Sequence, residues 1–355
     1  RSTLGASSAA SDVYKRQKPM SNKNLLPKIL ATMVLAVIFS VIGLMFSPLK
    51  SDLQDWLALE YNSHINELMT SPNNYLMSEP EPIIGKSTNF SQIITNEIND
   101  ENSMLDIWFD RSQTQALIVQ RQGKIVYERY GEDVKQGLNV NGMSMAKSVI
   151  AILIGIAIDD ELINSEKDPI SIYLPELTSS KYNRVEIRDL LRHTSGIQSS
   201  NRDLQDTLNN KLLNLSTRDL LFSDDKSFSY DNMNYHLLML ILQRLYQKPI
   251  NEIIEAKVWQ PLRLEDASMV TSSGYCCLFA TAKSWLAIGN LFLNPNNTIV
   301  SKTWLDKMIQ DVLLPKSFYV QATEKSVGNS YGYHIYSGFN NLPEIFWIEG
   351  LGLQV

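Results

Sequence analysis

Cysteine is nearly absent from this sequence. The 355 residues contain two, Cys276 and Cys277, and because they are adjacent they cannot tie distant parts of the chain together. A bond between them would have to close a strained small ring. The four histidines are scattered, and no His-Glu-x-x-His or Cys-x-x-Cys pattern occurs, so neither a metal nor an organic cofactor is expected. Runs of lysine and arginine are also missing. The 38 acids and 32 bases are spread along the chain, for a net charge of −6, which makes nucleic acid an unexpected partner. There is no internal repeat, and no Gly-x-Ser-x-Gly elbow to support a Ser-His-Asp triad on His193. What is present is a chain 44% hydrophobic, long enough for one large domain or two smaller ones with a substantial core.

The two ends differ from the middle. Residues 1–19, "RSTLGASSAASDVYKRQKP", are small and polar, out of character with the rest of the chain, and read as non-native read-through. Residues 20–50 read as a membrane anchor or signal sequence: Lys23 and Lys28 precede an uncharged run, 29–46, close to the minimum length for crossing a bilayer. The stretch "MFSPLKSD" offers no convincing cleavage site, which favours an uncleaved inner-membrane anchor. Basic residues before the run place the N-terminus in the cytoplasm and the remaining chain on the periplasmic side, or outside the cell if the segment is cleaved. Residues 51–104, including "SEPEPIIGKSTNFS", read as a spacer.

Regular structure begins at "ALIVQRQGKIVYERYG", two β-rich runs around Gly123 that predict a hairpin. Helical patterns come next: the run opening at Ser144, then "VEIRDLLRH", "NYHLLMLILQRLYQ" and "TAKSWLAIGNLFL", with Thr281 as N-cap of the last. The aromatic, β-branched runs "YGYHIYSGF" and "EIFWIEGLGLQV" return to strand. Strands before and after a helical middle predict an α/β (α+β) fold: an antiparallel sheet built from both ends, flanked by helices, with a mostly helical subdomain inserted at about 160–280.

The chemistry is sought at Ser-x-x-Lys, which occurs as Ser47/Lys50, Ser144/Lys147 and Ser223/Lys226. Only Ser144 opens a long apolar segment. A helix apolar on every side must be buried, which sets Ser144 at the N-terminus of a central helix, where free N–H groups and the helix dipole favour developing negative charge. Lys147 falls on the same face one turn on, and loss of hydration there would shift it toward its neutral form, able to take the serine proton. "FSYDN" supplies a second proton carrier, Tyr230, and an amide, Asn232, that could serve Lys147 and substrate or merely cap the next helix.

Taken together, "SMAKS", "VEIRDLLRHTSGI", "FSYDN", "GYCCLFATAKSW" and "EGLGLQ" resemble, in order and spacing, the serine β-lactamase-like hydrolases: class C β-lactamases, penicillin-binding peptidases, esterases and 6-aminohexanoate-dimer hydrolases. The resemblance covers about residues 105–355 and implies a β-lactamase/transpeptidase-like fold. It further implies Ser144 as the acylated nucleophile, Lys147 as its base, Tyr230 as proton shuttle and Asn232 in support. Gly350, Leu351 and Gly352 fall at the third motif, with the Ser144 and Leu351 N–H groups as oxyanion donors. That motif is not Lys-Thr-Gly, so the cation that would hold a penicillin carboxylate has no evident counterpart. Lys283-Ser284 stands where the aminohexanoate branch has Arg-Asp. Family members continue past the point matching Val355, which implies that the C-terminal part of the domain is missing here. The expected function is a serine hydrolase of small esters, amides or peptide-like substrates. The alternatives are a penicillin-binding D-Ala-D-Ala peptidase or β-lactamase, and a non-catalytic relative that binds cell-wall fragments or a protein partner.

Overall fold

The computed structural model describes residues 81–85, 99–112, 114–177, 181–199, 221–271, 273–294, 298–310, 312–313, 330–339, 342–350 and 353–354. Every described residue belongs to one compact unit, His64–Val355. The expected read-through, the apolar run 29–46 and most of the expected spacer lie outside the described residues. Among the described residues no helix is long and apolar enough to cross a membrane.

The run after Ser144 folds as the helix Ala146–Asp159, with Ala146 to Ala157 buried without a break. It has no polar face to offer solvent, so it can only lie at the centre of the core. The helices Asn232–Tyr246 and Lys302–Met308 pack on it. Gly155 opens one face to the Trp304 ring, whose Nε1 donates to the Ala151 carbonyl at 3.0 Å. Truncating a buried ring of that size typically costs about 3–5 kcal/mol. Two other helices begin at polar caps, the first at the Thr281 that the sequence predicts. Thr281 caps Ala282–Leu293 by accepting from the Ser284 N–H, and Ile187–Leu191 carries a capping box between Glu186 and Asp189.

All described strand pairs are antiparallel. Ala116–Arg121 and Lys124–Tyr130 form the predicted hairpin, turning through Gln122 and Gly123. A four-stranded sheet runs Glu81–Ile83, Ala267–Met269, Leu278–Ala280, Val140–Asn141; a second runs Leu342–Trp347, Tyr336–Phe339, Ser330–Tyr331, Val312–Leu313. The mixture of helices and antiparallel sheet is the expected one. Among the described ladders the hairpin pairs only with itself, and its Gln120 exchanges amide hydrogen bonds of 3.2 and 2.8 Å with Asn290 of the helix Ala282–Leu293. "YGYHIYSGF" also differs from a single strand. It is a tight hairpin closed by Gly332 N–H on the Ile335 carbonyl at 2.8 Å, with His334 in the left-handed region at φ 56°.

Candidate active site

The site is built on the turn that leads into the central helix. Val140–Asn141 pairs with Leu278–Ala280, and the Gly142 N–H extends that pairing to the Leu278 carbonyl at 2.8 Å. Asn141 Oδ1 then accepts from the Met143 N–H at 2.9 Å, and Met143 takes a left-handed φ of 47°. Left-handed backbone at a non-glycine residue costs about 1–3 kcal/mol and persists only where its surroundings hold it. Here they do. Trp285 lies so close to Gly142 that a Cβ there would come within 2.0 Å of the ring, and Gly350 presses on the other side, where a Cβ would meet the Gly142 carbonyl at 2.4 Å. A single 3-10 turn, Met143–Met145, carries Ser144 into the helix.

Ser144, Lys147 and Tyr230 meet at this point. Lys147 Nζ lies 2.9 Å from Ser144 Oγ, and Tyr230 OH lies 3.0 Å from the same oxygen. Lys147 is fully buried, and Nζ donates its other described bond to the Tyr275 carbonyl at 2.8 Å. Burial holds the amine well below the ordinary lysine range, and the Asp231 carboxylate opposes this in part. Tyr230 is pushed upward, chiefly by burial; the bond to Ser144 works against that shift and Glu349 adds to it. An amine whose pKa is lowered by burial and a phenol whose pKa is raised by it therefore flank one hydroxyl.

Asp231 and His193 hold Tyr230 in place. Asp231 caps the helix Asn232–Tyr246 by accepting from Met233 N–H, and it also receives the Ser199 N–H at 2.7 Å. His193 accepts the Asp231 N–H at Nδ1 and stacks on the Tyr230 ring with centroids 4.3 Å apart. It is a neutral, buried support for the tyrosine. Asn232 is the first residue of its helix and half-buried, while the described partners of Lys147 are Ser144 and the Tyr275 carbonyl. Of the third-motif residues, Gly350 lies against the Ser144 turn, and Leu351 and Gly352 lie outside the described residues.

Two elements of the site were not anticipated. The Tyr275 carbonyl on Lys147 is a backbone group, without a side-chain signature, and it is followed directly by Cys276 and Cys277, joined here as a vicinal disulfide. His334, read as part of a strand, is fully buried with Nε2 3.4 Å from Tyr230 OH. Its histidine in an otherwise aromatic and apolar run was the available signal. Lys283 has a structural place, paired with Glu128 of the hairpin at 3.0 Å. Among the described residues no group of three His, Cys, Asp or Glu side chains could hold a metal ion.

The arrangement is suited to deprotonating Ser144 and reprotonating whatever it displaces. Comparison with known proteins places the chain among hydrolase relatives. Residues 105–273 match the family model described as Beta-lactamase. The teichoic acid D-alanine hydrolase of Staphylococcus aureus (strain MRSA252) is 24% identical, over 59% of this chain and 56% of its own length, so the chain spans about half the length of that curated relative. Among solved structures, a candidate 6-aminohexanoate-dimer hydrolase from Bacillus anthracis aligns with a TM-score of 0.62 at 18% identity, covering 81% of this chain and 83% of its own. FmtA from Staphylococcus aureus aligns at 0.56 and 16%, covering 76% and 80%.

Proposed function

We propose that this chain, which belongs to the serine β-lactamase and penicillin-binding-protein-like superfamily, is a serine hydrolase acting on small esters or amides through an acyl-enzyme on Ser144. The observation that carries the reading is the shared oxygen: Ser144 Oγ within hydrogen-bond reach of both a buried Lys147 amine and the Tyr230 phenol. Neutral Lys147 takes the Ser144 proton as Oγ attacks the substrate carbonyl. The oxyanion forms at the N-terminal end of the central helix, where the Ser144 N–H and the dipole favour negative charge. Tyr230 gives its proton to the leaving group and regains one from the Lys147 ammonium, and water then releases the acid by the reverse proton path.

The carboxylates that act on the catalytic pair through space are Glu349, on Tyr230, and Asp231, on Lys147. With no Lys-Thr-Gly in the third motif, this supports neutral or ammonium-bearing substrates over the carboxylate-bearing β-lactams. The name of the curated relative supports a D-alanine-bearing compound as one member of that class. Residues 29–46 would anchor the domain outside the cytoplasm, which carbonate-resistant membrane association of the full chain, lost when they are deleted, would support. The direct test of the chemistry is intact mass after a fluorophosphonate probe. One adduct, absent from Ser144→Ala, is expected; an unmodified wild-type protein would remove the acyl-enzyme.

A further inference from the structure

We propose that His334 is a positioning residue for Tyr230, with Ser148 setting which ring nitrogen carries the proton; the inference rests on the acyl-enzyme reading of Ser144. Ser148 follows Lys147 on the central helix and is itself fully buried. Its single hydroxyl hydrogen goes to the His334 carbonyl at 2.9 Å. Ser148 Oγ also lies 3.0 Å from His334 Nδ1, so that contact requires the ring to donate its Nδ1–H to the serine oxygen. The proton on Nδ1 leaves Nε2 with a lone pair, and Nε2 is the atom that faces Tyr230 OH at 3.4 Å. Burial keeps the imidazole neutral.

Tyr230 thus has one hydrogen and two acceptors, Ser144 Oγ at 3.0 Å and His334 Nε2 at 3.4 Å. While Ser144 gives its own proton to Lys147, the phenol hydrogen rests on Nε2 and the phenol does not compete for the nucleophile's lone pair. After attack, rotation about the C–O bond turns the same hydrogen to the leaving group. No bond to His334 is made or broken, and no charge develops on it. The ring is held for this purpose by several restraints. Its backbone is left-handed in the hairpin turn, its side chain is wholly enclosed, and Tyr235 and Tyr331 pack on it edge-on, with centroids 5.8 and 5.9 Å away.

A group that parks the leaving-group proton should matter most when the leaving group needs that proton. We therefore compare phenyl acetate with p-nitrophenyl acetate, which are similar in size but differ in leaving-group basicity. In His334→Asn, which tolerates the left-handed backbone and lacks an acceptor at the Nε2 position, phenyl acetate hydrolysis should fall about tenfold, the scale of one hydrogen bond. p-Nitrophenyl acetate hydrolysis should fall less than about threefold on the same scale. In a Tyr230→Phe background the same substitution should change neither rate, and His334→Gln, which restores an acceptor, should recover most of the loss. Equal losses on both esters, repeated in the Tyr230→Phe background, would overturn the proposal and leave His334 as packing. If His334→Asn does not fold, Ser148→Ala in the same cycle decides, because it frees the ring to place its proton on Nε2. A wild-type protein that gains no adduct at Ser144 would overturn the acyl-enzyme reading itself, whereas a labelled one with additive losses would overturn only the role of His334.

Discussion

The chain carries the same tetrad in two described places, with opposite results. At Ser144/Lys147 the amine is wholly buried on the central helix, and its described bonds go to a hydroxyl and a carbonyl. At Ser223/Lys226 the lysine side chain is 52% exposed and its Nζ lies 2.7 Å from the Asp189 carboxylate, with a second bond to the Arg184 carbonyl. Ser223 there accepts the Asp225 N–H in a turn. Loss of hydration disfavours the charged form of an amine, and neutral acceptors do little to restore it. The spacing of serine and lysine therefore decides nothing by itself. Burial and the nearest counter-charge decide.

That contrast can be broken most forcefully at Lys147. Lys147→Met preserves the apolar stem, and it should lower the rate of Ser144 acylation about 10³-fold while the protein stays folded at pH 7. A near-native rate would remove the lysine as base. Tyr230→Phe keeps the stack on His193 and deletes only the hydroxyl; the expected loss is about 10²-fold, larger for phenyl than for p-nitrophenyl esters. Gly350→Ala should act through the fold, since its Cβ would meet the Gly142 carbonyl at 2.4 Å and push on the Ser144 turn. Overpacking of that kind costs about 1–3 kcal/mol, read as a lower Tm together with slower labelling. The smallest effect belongs to the other tetrad. Lys226→Ala should cost at most about 1 kcal/mol of stability, given the exposure of the lysine, and should leave acylation unchanged. Slower acylation in Lys226→Ala would erase the distinction between the two pairs.

Much of this site was legible in the sequence, for reasons that can be stated residue by residue. The apolar run Val149 to Ile158 was too long for an ordinary strand and, as a helix, had no polar face, so it had to be buried with Ser144 near its N-terminal end. Tyr230 stood out because it opens the sole Tyr-x-Asn of the sequence, just ahead of a strong helix. The remainder was hidden by its chemistry. The carbonyl of Tyr275 belongs to the backbone, and nothing in the residue names around it records which amine it will meet. His334 was hidden by period: in "YGYHIYSGF" the aromatic and β-branched residues read as one strand, whereas Gly332 fits against the Met308 carbonyl and the chain turns there. Asp231, rather than Asn232, supplies the helix cap, a choice between neighbours that composition cannot make. The sheets were the least legible, because the pairing of short strands depends on long-range packing.

The most direct measurement of the central claim, that burial turns Lys147 into a base for Ser144, is the pH dependence of Ser144 labelling by a fluorophosphonate in the wild-type protein. With the Lys147 pKa lowered by burial, protonation in acid removes the base. The rate should therefore fall about tenfold per pH unit below that pKa and reach a plateau well short of 10.5, the ordinary lysine value. A rate that keeps rising through pH 10.5, or that does not change with pH at all, would contradict the account.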